Sequence, residues 1–171
     1  MTVFQSFSDA LQADRPTPPL ADRLSLYSWL IGGWEMDAVR HLADGSTARG
    51  RGEIHFGWVL DGRVIQDVWH VPGPAGSPPS LFGTTLRIYD PAIDAWHIRW
   101  IDPIGQNHSQ QVGRREGDDI VQLGADAAGR AVRWRFTEIT PASFHWIGEQ
   151  SPDGGKSWVR IVEFFARRAG D

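Results

Sequence analysis

From Trp34 onward, apolar and polar residues alternate with a period of two, and Gly, Pro and Asp clusters interrupt the alternation at short intervals. This is the pattern of strands that each bury one face. Ser80–Asp102, SLFGTTLRIYDPAIDAWHIRWID, shows it most clearly. Phe82, Thr84, Leu86 and Ile88 fall on one side of the first strand, and Trp96, Ile98 and Trp100 on one side of the second. The pattern predicts ten strands, near 34–42, 48–60, 63–71, 80–89, 95–102, 107–115, 118–125, 130–138, 142–151 and 156–167. Turn chemistry separates them, as at Asp61-Gly62, Glu116-Gly117 and Asp153-Gly154-Gly155. The longest separator, PGPAGSPPS at 72–80, is too rich in Pro and Gly for regular structure and reads as a rim or lid loop.

The N-terminal region has a different period. Phe4, Phe7 and Leu11 have helical spacing, which predicts a short helix packed on the strands. Leu20, Leu24, Tyr27 and Leu30 predict a second helix over 20–31, ending at Gly32-Gly33. Ten strands left flat would expose two edges, and closure removes them. The expected fold is therefore all-β: an antiparallel up-and-down barrel over 33–168, with 1–32 as a helical or extended segment against it, in one domain of 171 residues.

Turn geometry then sets which side chains point inward. A two-residue loop at Asp61-Gly62 pairs Trp58 with Ile65, Phe56 with Asp67 and Ile54 with Trp69. A loop centred on Ala92 pairs Ile88 with Trp96, Leu86 with Ile98 and Thr84 with Trp100. Loops at Glu116-Gly117 and Ile139–Pro141 bring Val112, Val121, Leu123, Trp134, Phe136, Phe144 and Trp146 to the same face. The polar residues on that face are Asp67, Thr84, His108 and Gln110, with Gln150 a further candidate, while Glu163 fits either face. Arg87, Arg99, Arg133 and Arg135 fall outside, on a solvated surface or on the interface of a homodimer.

Composition narrows the chemistry. Nine Trp are enough to build a core or to line a pocket for a flat ligand. With no Cys there is neither a disulfide framework nor a thiol nucleophile. The balance of 17 basic against 21 acidic residues argues against nucleic acid or an anionic membrane as partner. The N-terminus has no signal-peptide pattern, so a cytoplasmic location is expected. The six His show no metal-ligand spacing, and neither metal nor cofactor is expected; haem on one inward His would be the exception.

Two readings of the pocket follow. In the first, Trp69, Thr84, Trp100, Gln110, Trp134 and Trp146 hold a small apolar or aromatic molecule. In the second, Asp67 and His108 transfer protons in a cofactor-independent isomerisation, cyclisation or dehydration, because a carboxylate on an apolar face is paired, wet or protonated. Asp67 also has a purely structural reading, as the partner of an internal Arg or His.

In order along the chain, LIGGWEM, VLDGRVIQDVW, FGTTLRIYDPAIDAWHIRWID and FHWIGEQSPDGGKSWVRIVEFFARR resemble a bacterial lipocalin-like, calycin-type barrel family. The resemblance spans about Leu30 to Arg168. It implies a barrel with an internal cavity and brings no catalytic residues with it.

Overall fold

The computed structural model describes residues 4–170. The N-terminal region forms a short helix, α1 (Phe7–Leu11), a two-residue strand, β1 (Gln12–Ala13), a 3₁₀ turn at Pro18–Leu20 and one turn of helix, α2 (Ser25–Ser28). Ten long strands follow: β2 (Gly32–His41), β3 (Thr47–Val59), β4 (Val64–Val71), β5 (Leu81–Asp90), β6 (Ala95–Asp102), β7 (Asn107–Glu116), β8 (Asp119–Asp126), β9 (Ala131–Thr137), β10 (Ser143–Gln150) and β11 (Val159–Arg168). Each pairs antiparallel with the next, and β11 pairs back onto β2, from Val162↔Arg40 to Arg168↔Trp34. The result is a closed ten-stranded antiparallel β-barrel, as the alternation predicts. β1 adds to the end of β3 through Gln12↔Val59 and Ala13↔Trp58.

The barrel's two ends differ. At one end the predicted helix shrinks to α2, yet its apolar stripe does the expected work: Leu24, Tyr27 and Leu30 are fully buried. They plug the end against an edge-to-face aromatic cluster. Tyr27 lies 4.9 Å from Trp96 and 6.1 Å from Phe136, and Trp34 lies 4.8 Å from Phe144. α1 departs from expectation: Phe7 in it and Phe4 before it are 80% and 58% exposed, and of the three spaced apolar residues Leu11 alone is half-buried. The loops at the opposite end, including 72–80, surround an opening.

Register is as expected for β3–β4, where Phe56 faces Asp67, Trp58 faces Ile65 and Ile54 faces Trp69. It differs by one residue on β5. The connecting loop holds four residues, with Asp90↔Ala95 and Tyr89↔Trp96 closing it, so Gly83, Thr85 and Arg87 point inward. Phe82 and Ile88 are exposed, and Thr84 and Leu86 lie on the outer set with them. β7 is inverted in the same way: Ser109 and Gln111 are buried inside, whereas His108 and Gln110 are exposed and Val112 faces out. On β8, Ile120 and Gln122 take the inner places expected for Val121 and Leu123. Trp134, Phe136, Phe144 and Trp146 are inside, two residues further along their ladder than the turn predicts, with Phe136↔Trp146. Glu163 faces outward, between Val39 and Ile147.

Candidate functional site

The open end leads into a cavity of about 730 Å³. Trp69 of β4, Trp100 of β6, Trp134 of β9 and Trp146 of β10 line it. Their rings form a continuous chain: Trp100 to Trp134 at 6.3 Å, Trp134 to Trp146 at 5.4 Å, and Trp146 to Trp69 at 5.7 Å. Inward glycines seat two of them. A Cβ on Gly83 would stand 2.5 Å from the Trp100 ring, and one on Gly148 would stand 2.8 Å from the Trp146 ring. The missing side chains leave room for both rings to lie close to the wall. Pro72, Gly73 and Pro74 border the mouth, which puts the Pro/Gly-rich loop at the rim.

One polar stretch of the wall comes from β5, whose alternation is inverted. Arg87 and Thr85 border the cavity, and Asp67 sits behind them. Arg87 and Asp67 form a buried ion pair, Nη1 to Oδ2, with side chains 1% and 0% exposed. The other carboxylate oxygen accepts the backbone N–H of Thr85 at 2.7 Å. The Arg87 guanidinium carbon also lies 5.4 Å from the Tyr27 and Phe56 ring centroids and 5.7 Å from that of Phe136. Three aromatic faces thus help to hold a cation that has left water. Asp67 is therefore inside, as expected, and its partner is the arginine that the alternation put outside.

Arg87 is the residue that alternation hides. Asp67 calls for a cation on a neighbouring strand, and Arg87 is the one basic residue in β5, while β3 on the other side of β4 carries Arg49, Arg51 and His55. Thr85 and Ser109 also border the cavity unforeseen.

Two buried donors on the wall have no acceptor among the described residues: Arg87 Nε and Trp69 Nε1. Gln111 Oε1 and Gln122 Oε1 are likewise unpartnered within the barrel, although each side chain uses its nitrogen, to Ser109 Oγ at 2.9 Å and Tyr27 Oη at 2.8 Å. Burial is the main influence on Tyr27. It outweighs the nearby Arg87 charge and the Gln122 hydrogen bond and pushes the phenol up to about 12.

The other expected polar residues lie elsewhere. His108, opposite Ile101, is on the outer surface, so the structure does not bring it to Asp67. Gln110, opposite Arg99, is exposed as well. Thr84 is on the outer set, where its hydroxyl donates to the Asp67 carbonyl and accepts from Gln66 Nε2 at 3.0 Å. Gln150 borders the mouth, with Nε2 donating to Asp126 at 3.4 Å. His41 also borders the mouth, with Nε2 bonded to Glu163 at 2.8 Å.

Glu163 anchors a polar cluster on the outer wall. Its carboxylate also meets His145 Nε2 at 2.9 Å and Arg160 Nη1 at 2.8 Å. Burial pushes this carboxyl up. The His41 hydrogen bond, the Arg160 charge and the His145 contact together outweigh burial and hold it below its ordinary value.

No family model matches the chain, and no curated protein matches it in sequence. Solved structures share its fold. Rv2717c from M. tuberculosis superposes with a TM-score of 0.63 at 14% identity, over 88% of this chain and 99% of that one. The S-type phycobiliprotein lyase CpeS from Guillardia theta superposes with a TM-score of 0.60 at 11% identity, over 86% of this chain and 92% of that one. At these identities the likeness shows a shared lipocalin-like barrel and no more.

Proposed function

We propose that the barrel binds a small apolar or aromatic molecule in its tryptophan-lined cavity. The observation that carries this is the chain of rings from Trp100 to Trp69 around a cavity of about 730 Å³ that opens at one end only. That volume lies in the range typical of small-molecule sites, roughly 300–1,000 Å³. Flat π surfaces of this kind favour flat apolar guests, each ring contact adding about 0.5–1.5 kcal/mol. The opposite end is plugged by Leu24, Tyr27 and Leu30, so a guest enters past the rim loop.

The test is a titration of intrinsic tryptophan fluorescence with a panel of fused-ring compounds. Saturable quenching is expected. Trp134→Ala should weaken binding about tenfold, the equivalent of ~1.4 kcal/mol, whereas His108→Ala, outside the wall, should leave it unchanged. If no member of the panel quenches, the proposal fails.

A further inference from the structure

On the outer wall, β2, β3 and β11 present a second concavity, open to solvent and about 670 Å³ in volume. Asp37 of β2, Arg49 and Arg51 of β3, and Phe165 and Arg167 of β11 line it. Register brings them together, because Asp37 pairs with Arg51 on one side and with Phe165 on the other. One Asp37 oxygen lies 3.3 Å from Arg51 Nε, and the other lies 3.4 Å from Arg167 Nη2. Arg49 stands two residues from Arg51 on the same face of β3 and makes no ion pair among the described residues. Three guanidinium groups around one carboxylate leave a surplus of two positive charges, in a chain whose net charge is −4.

These groups are open to a ligand. The side chains of Arg51 and Arg167 are 89% and 67% exposed, and each spends one nitrogen on Asp37, so most of their N–H donors are left over. Neighbouring carboxylates do not cancel the surplus. Glu163 is already bound by His41, His145 and Arg160, and Glu53 lies 3.4 Å from His55 and 3.7 Å from His70. Glu35, opposite Arg167 in register, does not line the concavity. Phe165 adds an apolar surface: its ring is backed by His145 at 4.2 Å, nearly parallel, yet the residue stays 41% exposed. Arginine forks match phosphate oxygens in geometry. A phosphate monoester carries about −1.5 to −2 at neutral pH, which fits the surplus, whereas a carboxylate supplies a single charge. We propose that this concavity binds a phosphate monoester bearing an aromatic group, its oxygens on Arg49, Arg51 and Arg167 and its ring on Phe165.

The experiment is an NMR titration of the intact protein with phenyl phosphate, inorganic phosphate and phenol, followed at the backbone amides and the Trp indole N–H groups. Phenyl phosphate should shift the amides of Asp37, Arg51 and Phe165 saturably. It should bind about two- to tenfold more tightly than inorganic phosphate, the span of one aromatic contact. Phenol should be the weakest of the three at these amides, and added sodium chloride should weaken phenyl phosphate. Arg51→Gln and Arg167→Gln should each weaken it about two- to fivefold. Asp37→Asn should tighten it, because the surplus rises; a carboxylate that only braced the fold would not act in this direction. Phe165→Ala should remove the advantage over inorganic phosphate. Adenosine monophosphate and a short phosphotyrosine peptide, titrated in the same way, separate a free nucleotide from a modified protein as the source of this chemistry. Absence of shifts on the outer wall, shifts at the indoles instead, or an affinity indifferent to Arg51, Arg167 and Asp37 would overturn the site. None of these outcomes bears on whether the tryptophan cavity binds a fused-ring guest.

Discussion

Asp67 and Arg87 face each other across neighbouring strands and share an ion pair that solvent does not reach. Neither β4 nor β5 can slide by one residue without leaving a charge in an aromatic interior. Breaking such a pair by removing one partner typically costs about 3–5 kcal/mol, more than the pair itself is worth against apolar replacements. Asp67→Asn should therefore lower the free energy of unfolding by an amount in that range, read from urea or guanidinium denaturation. Asp67→Leu combined with Arg87→Met should recover most of the loss. A single variant that stays within 1 kcal/mol of the parent, on the order of an exposed pair, would show that the pair does not hold the register.

The seat of Trp146 offers a way to change the cavity without touching its polar groups. A Cβ at Gly148 would stand 2.8 Å from two atoms of that ring and 3.0 Å from Val162 Cγ1. Gly148→Ala should displace the ring toward the cavity, at a cost of about 1–3 kcal/mol of stability. Fused-ring guests should then bind more weakly, and the tryptophan emission spectrum should shift. Unchanged emission and unchanged affinity together would show that the wall yields elsewhere.

Acid should act on the outer wall. Glu163 is held below its ordinary value even though burial alone would raise it, because His41, Arg160 and His145 face its carboxylate from β2, β11 and β10. Glu138 approaches the far nitrogen of His145 at 3.8 Å. A carboxyl depressed in the folded state adds stability that is complete above its unfolded pKa, about 4.3, and is lost as pH falls through the folded value. Denaturation midpoints should thus fall as pH drops below that point, and Glu163→Gln should flatten this part of the profile. A Gln variant with the parent's full acid dependence would move the effect to other carboxylates, of which Glu149, also depressed on balance by Arg133 and Arg135, is the next to test.

The alkaline limb belongs to the plug. The chain has two Tyr. Burial raises Tyr27 to about 12, and the hydrogen bond to Asp94 raises Tyr89. A phenol raised in the folded state contributes stability that is complete below its unfolded pKa, about 10, and is lost as pH rises through the folded value. Phenolate absorbance should lag behind that of free tyrosine, and its last step should coincide with loss of the near-UV circular dichroism. Tyr27→Phe should remove that last step. Two phenols ionising at the ordinary value in the folded protein would mean that Tyr27 is open to solvent.

The hairpin of β3 and β4 was legible in the chain because the Asp61-Gly62 turn and the contrast of Phe56 and Trp58 with Gly57 and His55 agree. β5 and β7 were not, because their apolar residues face outward. Phe82, Ile88 and Val112 are on the outside, while Thr85, Arg87, Ser109 and Gln111 are inside. Alternation reports only that two faces differ, and the more apolar face is normally the buried one. Here the reversal brings Thr85, Arg87 and Ser109 to the cavity wall, where they join polar residues from unreversed strands such as Arg40, Asp102 and Glu149. The four tryptophans of the wall were legible, because Trp69, Trp100, Trp134 and Trp146 lie on strands whose alternation is not reversed. The separation of His108 from Asp67 was not, since it follows from the register of β7 alone.

The seam between β2 and β11 has a kinetic consequence. It joins residues 34–40 to 162–168, so the first long strand has no partner on one side until nearly the whole chain is available. Every other strand pairing from β2 to β11 joins sequence neighbours and can form as a growing meander, with an open edge on β2 in the meantime. Closure over so long a separation is the slow, entropy-limited kind of step. Until it happens, Trp34 and Met36 lie along an unpaired edge that a second chain could extend. The seam is thus where refolding and aggregation compete, and dilution during refolding should favour closure.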